Sequence, residues 1–160
     1  MNICIIPARG GSVGIPKKNL RLLCGEPLLG WTIKQALETI DIDSVYVSTD
    51  DTEIAEYAIS KGALVIDRPS ELSGDEACSE SAIEHALISI QPNLNSNSDV
   101  IVFLQATSPL RKQDDISKAI RLFRDTEADS LFSTCVAADL TLWNKNDFGW
   151  QSINFDYKNR

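Results

Sequence analysis

With 160 residues, 43% hydrophobic and 24% charged, the chain has the composition of one globular domain, which excludes a disordered segment. No apolar run approaches the ~20 residues that span a bilayer as a helix, so no membrane partner is expected. The net charge of −8 is uneven: residues 1–34 hold five basic side chains and one acidic (net +4), the rest ten and 22 (net −12). That leaves no broad positive face for nucleic acid, while the basic N-terminal stretch suits a small, multiply charged anion.

Met1 leads at once into Ile3-Cys4-Ile5-Ile6. The run is too short for a secretory signal and has no cleavage pattern, so it reads as a first strand in a cytoplasmic protein. A loop rich in Gly and Lys follows. Pro27 is placed as the first residue of a helix carrying Leu29, Ile33, Ala36, Leu37 and Ile40 at helical spacing. Val45–Ser48 is the second strand. A helix from Asp50-Asp51 to about Lys61 is stopped by Gly62, and Ala63–Ile66 is the third strand. Ile83, Ala86, Leu87 and Ile90 mark another helix, Val100–Leu104 a strand expected at the centre of the sheet, and Ile116, Ala119, Ile120 and Phe123 a further helix. Asp129–Val136 reads as a last strand. This alternation predicts a three-layer α/β/α fold around a mostly parallel sheet, whose ligands bind beyond the C-terminal strand ends.

The four cysteines have no C-x-x-C spacing and His85 is the only histidine, which argues against zinc sites, disulfides and histidine triads. The loop after the first strand is more informative. In Pro7-Ala8-Arg9-Gly10-Gly11-Ser12-Val13-Gly14-Ile15-Pro16-Lys17-Lys18-Asn19, glycines let the backbone curl around phosphate oxygens. Arg9 offers a planar fork, Lys18 a mobile charge for a departing pyrophosphate, and Ser12 and Asn19 neutral hydrogen bonds. The spacing is neither that of a P-loop nor of a dinucleotide fingerprint.

At these residues, from Ile6 to Asn19, the sequence closely resembles the acylneuraminate cytidylyltransferases, with the related enzymes for legionaminic and pseudaminic acids. The likeness continues through Val47-Ser48-Thr49-Asp50, Arg68-Pro69-Ser70-Glu71-Leu72, Leu104-Gln105-Ala106-Thr107-Ser108-Pro109-Leu110-Arg111 and Asp129-Ser130-Leu131-Phe132-Ser133. The resemblance implies a Rossmann-like nucleotidyltransferase sheet and transfer of CMP from CTP to the anomeric hydroxyl of a nine-carbon 2-keto sugar acid, with release of pyrophosphate. It implies that Arg9, Ser12, Lys18 and Asn19 hold the triphosphate, that Arg9 and Lys18 act in catalysis, that Arg68 and Ser79 surround the cytosine and ribose, and that Gln105 faces the sugar acid. Magnesium is implied as cofactor, bound by aspartates expected beyond Arg160, and a homodimer is implied for the full-length protein. On this reading residues 1–138 form the nucleotide-binding domain, and 139–160 begin an incomplete extension for dimerisation and sugar binding.

Val13 stands where the family has lysine, which weakens one phosphate-loop contact. Other readings stay open. Asp50-Asp51-Thr52-Glu53 suits a helix cap or metal ligands. Arg68 can pair with Glu71, Ser79 can cap a helix, and Gln105 can tie its loop to the sheet. Trp143, Trp150 and Tyr157 read as packing or interface residues rather than sugar platforms. The alternatives for the whole are a nucleotidyltransferase acting on another sugar or sugar phosphate, and a catalytically silent nucleotide-binding fragment.

Overall fold

An uninterrupted apolar run such as Ile3-Cys4-Ile5-Ile6 is satisfied only when both faces of its strand are covered. All four side chains are at most 1% exposed in β1 (Asn2–Pro7). Each buried isoleucine contributes about 1.5–3 kcal/mol. The computed structural model describes residues 1–12, 14–74, 79–90, 99–134, 143–147 and 149–152.

After β1 come a 3-10 turn (Lys18–Leu20), the short strands β2 (Leu22–Leu23) and β3 (Glu26–Pro27), and α1 (Leu28–Leu37). β4 (Ser44–Thr49), α2 (Thr52–Ser60), β5 (Leu64–Asp67) and a second 3-10 turn (Ser70–Leu72) follow. Then come α3 (Ser79–Ile90), β6 (Val100–Phe103) and α4 (Asp115–Asp125). These elements belong to one compact unit, Met1–Asp129; a second unit is Ser130–Arg160. The boundary expected at 138/139 lies outside the described residues.

The main sheet runs β5-β4-β1-β6, all neighbours parallel. The side chains of β1 alternate between two cores. Cys4, Ile6 and Ala8 pack with Leu29, Ile33 and Ala36 of α1, Ile54 and Ala58 of α2, and Ile116 and Ile120 of α4. Ile3 and Ile5 pack on the opposite face with Ala86 and Ile90 of α3. The expected three layers are therefore present, with three helices on one face and one on the other.

Several local expectations are corrected. Among the described residues β6 is an edge of the four-stranded sheet rather than its centre, because hydropathy reports burial and not the number of neighbours. Asp129–Thr134 forms no strand: its described residues pair with no other segment, and Phe132 is 83% exposed. A strand exists only through its ladder, which an apolar pattern cannot supply. Residues 135 and 136 lie outside the described residues. α1 ends at Leu37, leaving Ile40 exposed beyond it. Pro27 is the cap residue before α1, not its first helical residue, because its extended ψ of 142° lets it pair with Leu22 in an antiparallel hairpin. That hairpin was not expected. Cys24 (φ 52°) and Gly25 (φ 86°) both turn left-handed between Leu23 and Glu26, as a two-residue hairpin turn requires.

In the second unit, β7 (Trp143–Asn146) and β8 (Gly149–Ser152) form an antiparallel hairpin, also unpredicted. Trp150 is exposed on it, and Tyr157 lies outside the described residues.

Candidate active site

β1 is flanked by β4 on one side and β6 on the other, so chain connections leave it in opposite directions. Parallel sheets open a crevice at such a point, beyond the C-terminal strand ends. Here the crevice is a cleft of about 250 Å³. Pro7, Arg9, Ser12, Lys18 and Asn19 line it from the β1 side, Phe103, Gln105 and Thr107 from the β6 side, and Arg68, Leu72 and Ser79 complete it. All seven residues singled out from the sequence thus border one space.

The loop after β1 is held by specific contacts. Asn19, buried at its far end, donates from Nδ2 to the Arg9 carbonyl at 3.0 Å, so it staples the loop closed as well as bordering the cleft. Gly10 donates its N–H to Asp50 Oδ1 at 3.1 Å. A β-carbon at Gly10 would lie 2.5 Å from Asp51 Oδ2 and 2.8 Å from Asp51 Cβ, so this glycine serves close approach. Gly11 and Gly14 face open space. Among the described residues of the loop, the left-handed one is Lys17 (φ 51°), not a glycine. Val13 lies outside the described residues.

The two lysines part company. Lys17 donates to Glu53 on α2, and that hydrogen bond raises its pKa. Lys18 borders the cleft, and its ammonium has no ion pair among the described residues. Arg9 donates to the Gly74 carbonyl from one guanidinium nitrogen.

Arg68 is the most constrained cation. It is 6% exposed, and its backbone N–H extends the β4–β5 pairing by donating to Thr49 O at 2.8 Å. Its Nη2 lies 3.7 Å from Asp50 Oδ1, an ion pair in place of the alternative with Glu71. Nε and Nη2 have no hydrogen-bond partner among the described residues. Burial holds the guanidinium below the usual arginine range; Asp50 opposes that shift, and the nearby Arg9 charge adds to it. A buried guanidinium whose donors lack acceptors among the described residues, with a second guanidinium nearby, suits an anionic or acceptor-rich ligand.

Asp51 resolves the cap question. Its Oδ1 accepts from Ile54 N at 3.0 Å and caps α2, while Asp50 faces Gly10 and Arg68. Ser79 opens α3 at the rim of the cleft. The loop-tying role considered for Gln105 falls to its backbone: the carbonyl accepts from Arg111 Nη2 at 2.9 Å and from Thr32 Oγ1 at 3.4 Å, and the side chain stays exposed. Sequence reading missed Asp50 as a clasp and Thr32 as an anchor. A polar residue on the apolar face of α1, between Leu29 and Ile33, was the available signal.

Among the described residues, none that lines the cleft carries a carboxylate. Among the described residues no three His, Cys, Asp or Glu side chains gather as cation ligands. The described residues therefore do not by themselves fit a magnesium ion. Likewise, no helix among them is long and apolar enough to cross a membrane. A larger cleft of about 450 Å³ beside α1 is lined by Glu26, Trp31, Lys34 and Lys61. Its Glu26 is already engaged by Lys61 and Tyr57.

Residues 3–146 match the family model described as Cytidylyltransferase. N-acylneuraminate cytidylyltransferase A of Danio rerio is 38% identical over 149 residues, covering 93% of this chain and 32% of that protein. The pseudaminic acid cytidylyltransferase of Campylobacter jejuni subsp. jejuni serotype O:2 is 39% identical over 133 residues, 82% of this chain and 57% of that protein. The chain thus spans about a third to just over half the length of these curated relatives. Among solved structures, CMP:2-keto-3-deoxy-manno-octonic acid synthetase complexed with CTP shares the fold, with a TM-score of 0.66 at 23% identity over 79% of this chain and 48% of that one. With its sheet order, its switch-point cleft and a family match across residues 3–146, the chain belongs to the cytidylyltransferase family.

Proposed function

We propose that this chain is the nucleotide-binding part of an enzyme that transfers CMP from CTP to the anomeric hydroxyl of a nonulosonic acid of the sialic acid type, releasing pyrophosphate. The observation that carries the reading is Arg68: a buried guanidinium beside Arg9 on the cleft, ion-paired with Asp50 at 3.7 Å, whose Nε and Nη2 have no hydrogen-bond partner among the described residues. The relatives named above supply the substrate class.

On this reading the triphosphate lies along the loop after β1. Arg9, Ser12 and Lys18 contact its oxygens, and Asn19 keeps the loop in shape. The sugar hydroxyl attacks the α-phosphorus in line, the P–O bond to pyrophosphate breaks, and the hydroxyl proton passes to solvent. The protein's part is to orient the reactants and to stabilise charge on the leaving group, the task of Arg9 and Lys18. Arg68 and Ser79 face the nucleoside, and Gln105 meets the sugar acid. Magnesium belongs to the proposal as a companion of the triphosphate, and no step is assigned to it. A cytoplasmic location and a homodimer complete it.

The test is calorimetry with CTP, UTP and GTP, followed by pyrophosphate release from the intact protein with sialic, legionaminic and pseudaminic acids. CTP binding with release dependent on one of these acids is expected. Equal binding of all three nucleotides, or release driven only by a sugar phosphate, defeats the proposal.

A further inference from the structure

Arg111 lies on the loop after β6, four residues before α4, and does not line the cleft. Among the described residues its half-buried guanidinium meets only neutral acceptors. Nη1 donates to Thr32 Oγ1 at 3.3 Å and to Gln35 Oε1 at 3.1 Å; Nη2 donates to the Gln105 carbonyl at 2.9 Å. No carboxylate pairs with it among the described residues. Gln35 also donates from Nε2 to the Pro109 carbonyl at 2.8 Å, so α1 grips the loop at both 105 and 109. Thr32 and Gln35 are three residues apart, on one face of α1, and Thr32 is fully buried. Withdrawing an arginine from water without a counter-ion is costly, and the three hydrogen bonds offset that cost only in this arrangement. The arrangement fixes the backbone from which the Gln105 side chain projects into the cleft.

We propose that Arg111, with Gln35 and Thr32, is a positioning clamp for the sugar-acid side of the site, setting the place of Gln105 without touching either substrate. The inference rests on the function proposed above. It separates the two halves of the cleft: the nucleotide half depends on the β1 loop and Arg68, the sugar half on the clamp.

The intact protein is compared with Arg111→Met, Arg111→Lys and Gln35→Leu. Three quantities are read: CTP affinity by calorimetry, KM and kcat for the sugar acid by pyrophosphate release, and amide exchange across residues 104–110 by mass spectrometry. Arg111→Met is expected to raise the sugar-acid KM about tenfold or more, since a small displacement of a positioning group is costly. It should leave CTP affinity within about twofold and speed exchange at Ser108, whose N–H donates to Gln105 O at 3.2 Å. Gln35→Leu should act in the same direction, and Arg111→Lys should recover part of the loss. Weakening of CTP by the same factor as the sugar acid, or unchanged exchange in 104–110, overturns the clamp. If Arg111→Met does not fold, Gln35→Leu decides the matter by the same readouts. Absence of nonulosonic-acid activity in the unaltered protein defeats the proposed function alone, because CTP affinity and amide exchange still judge the clamp.

Discussion

Asp50 holds Arg68 from 3.7 Å, and the same carboxylate oxygen accepts the Gly10 N–H at 3.1 Å. One side chain at the end of β4 therefore ties together the loops that follow its two neighbours in the sheet, β1 and β5. The ion pair is too long to be a hydrogen bond, and Nε and Nη2 have no hydrogen-bond partner among the described residues.

Arg68→Met should weaken CTP binding by about tenfold or more, the scale of losing charge-assisted hydrogen bonds. The melting temperature should fall, because the variant leaves Asp50 without the cation it pairs with. Calorimetry and thermal melting on the same sample check both halves. Undiminished CTP affinity would mean that these donors serve no nucleotide.

Lys18→Ala should lower turnover in the intact protein by roughly 10²-fold or more, comparable with loss of an oxyanion-hole donor, and should affect CTP affinity less. Its ammonium is free of ion pairs among the described residues, so no structural contact confounds the result. Steady-state pyrophosphate release measures it; an unaltered kcat excludes the role.

Gly10→Ala and Gly11→Ala form a contrasting pair. At Gly10 the new methyl meets Asp51, whose side chain caps α2, and a cost of about 1–3 kcal/mol follows from overpacking. At Gly11 nothing lies within 4 Å, and the effect should stay within about 0.5 kcal/mol. Urea denaturation of the two variants tests the pair, and equal destabilisation would contradict the close approach.

Cys4 gives a pH dependence. Burial pushes its thiol up to about 12, against an ordinary value near 8.5. A raised folded-state pKa gives stability that is complete below the unfolded value and is lost as pH rises toward the folded one. Between about pH 8.5 and 10 the parent should therefore lose stability faster than Cys4→Val, as read from urea midpoints. A thiol reagent at pH 8 should label the exposed Cys24 and spare Cys4 in the folded protein.

The order of strands and helices was legible because each element carries its own period. The continuous apolar run of β1, the spacing of Leu29, Ile33 and Ala36, and Asp51-Thr52 ahead of α2 are local signals with local causes. The seven residues singled out through motif resemblance border one cleft, and their gathering there follows from a parallel sheet that sends each β–α loop to the same edge.

Sequence alone determined which segments are buried and that a basic, glycine-containing loop follows the first strand, since hydrophobic spacing and backbone permissiveness are properties of neighbouring residues. Only the tertiary structure decided that, among the described residues, β6 lies at an edge, Asp129–Thr134 forms no ladder, and Arg68 is buried against Asp50 with donors to spare. Each of these depends on a partner distant in the chain, and a strand's neighbour or a cation's counter-ion is set by three-dimensional packing.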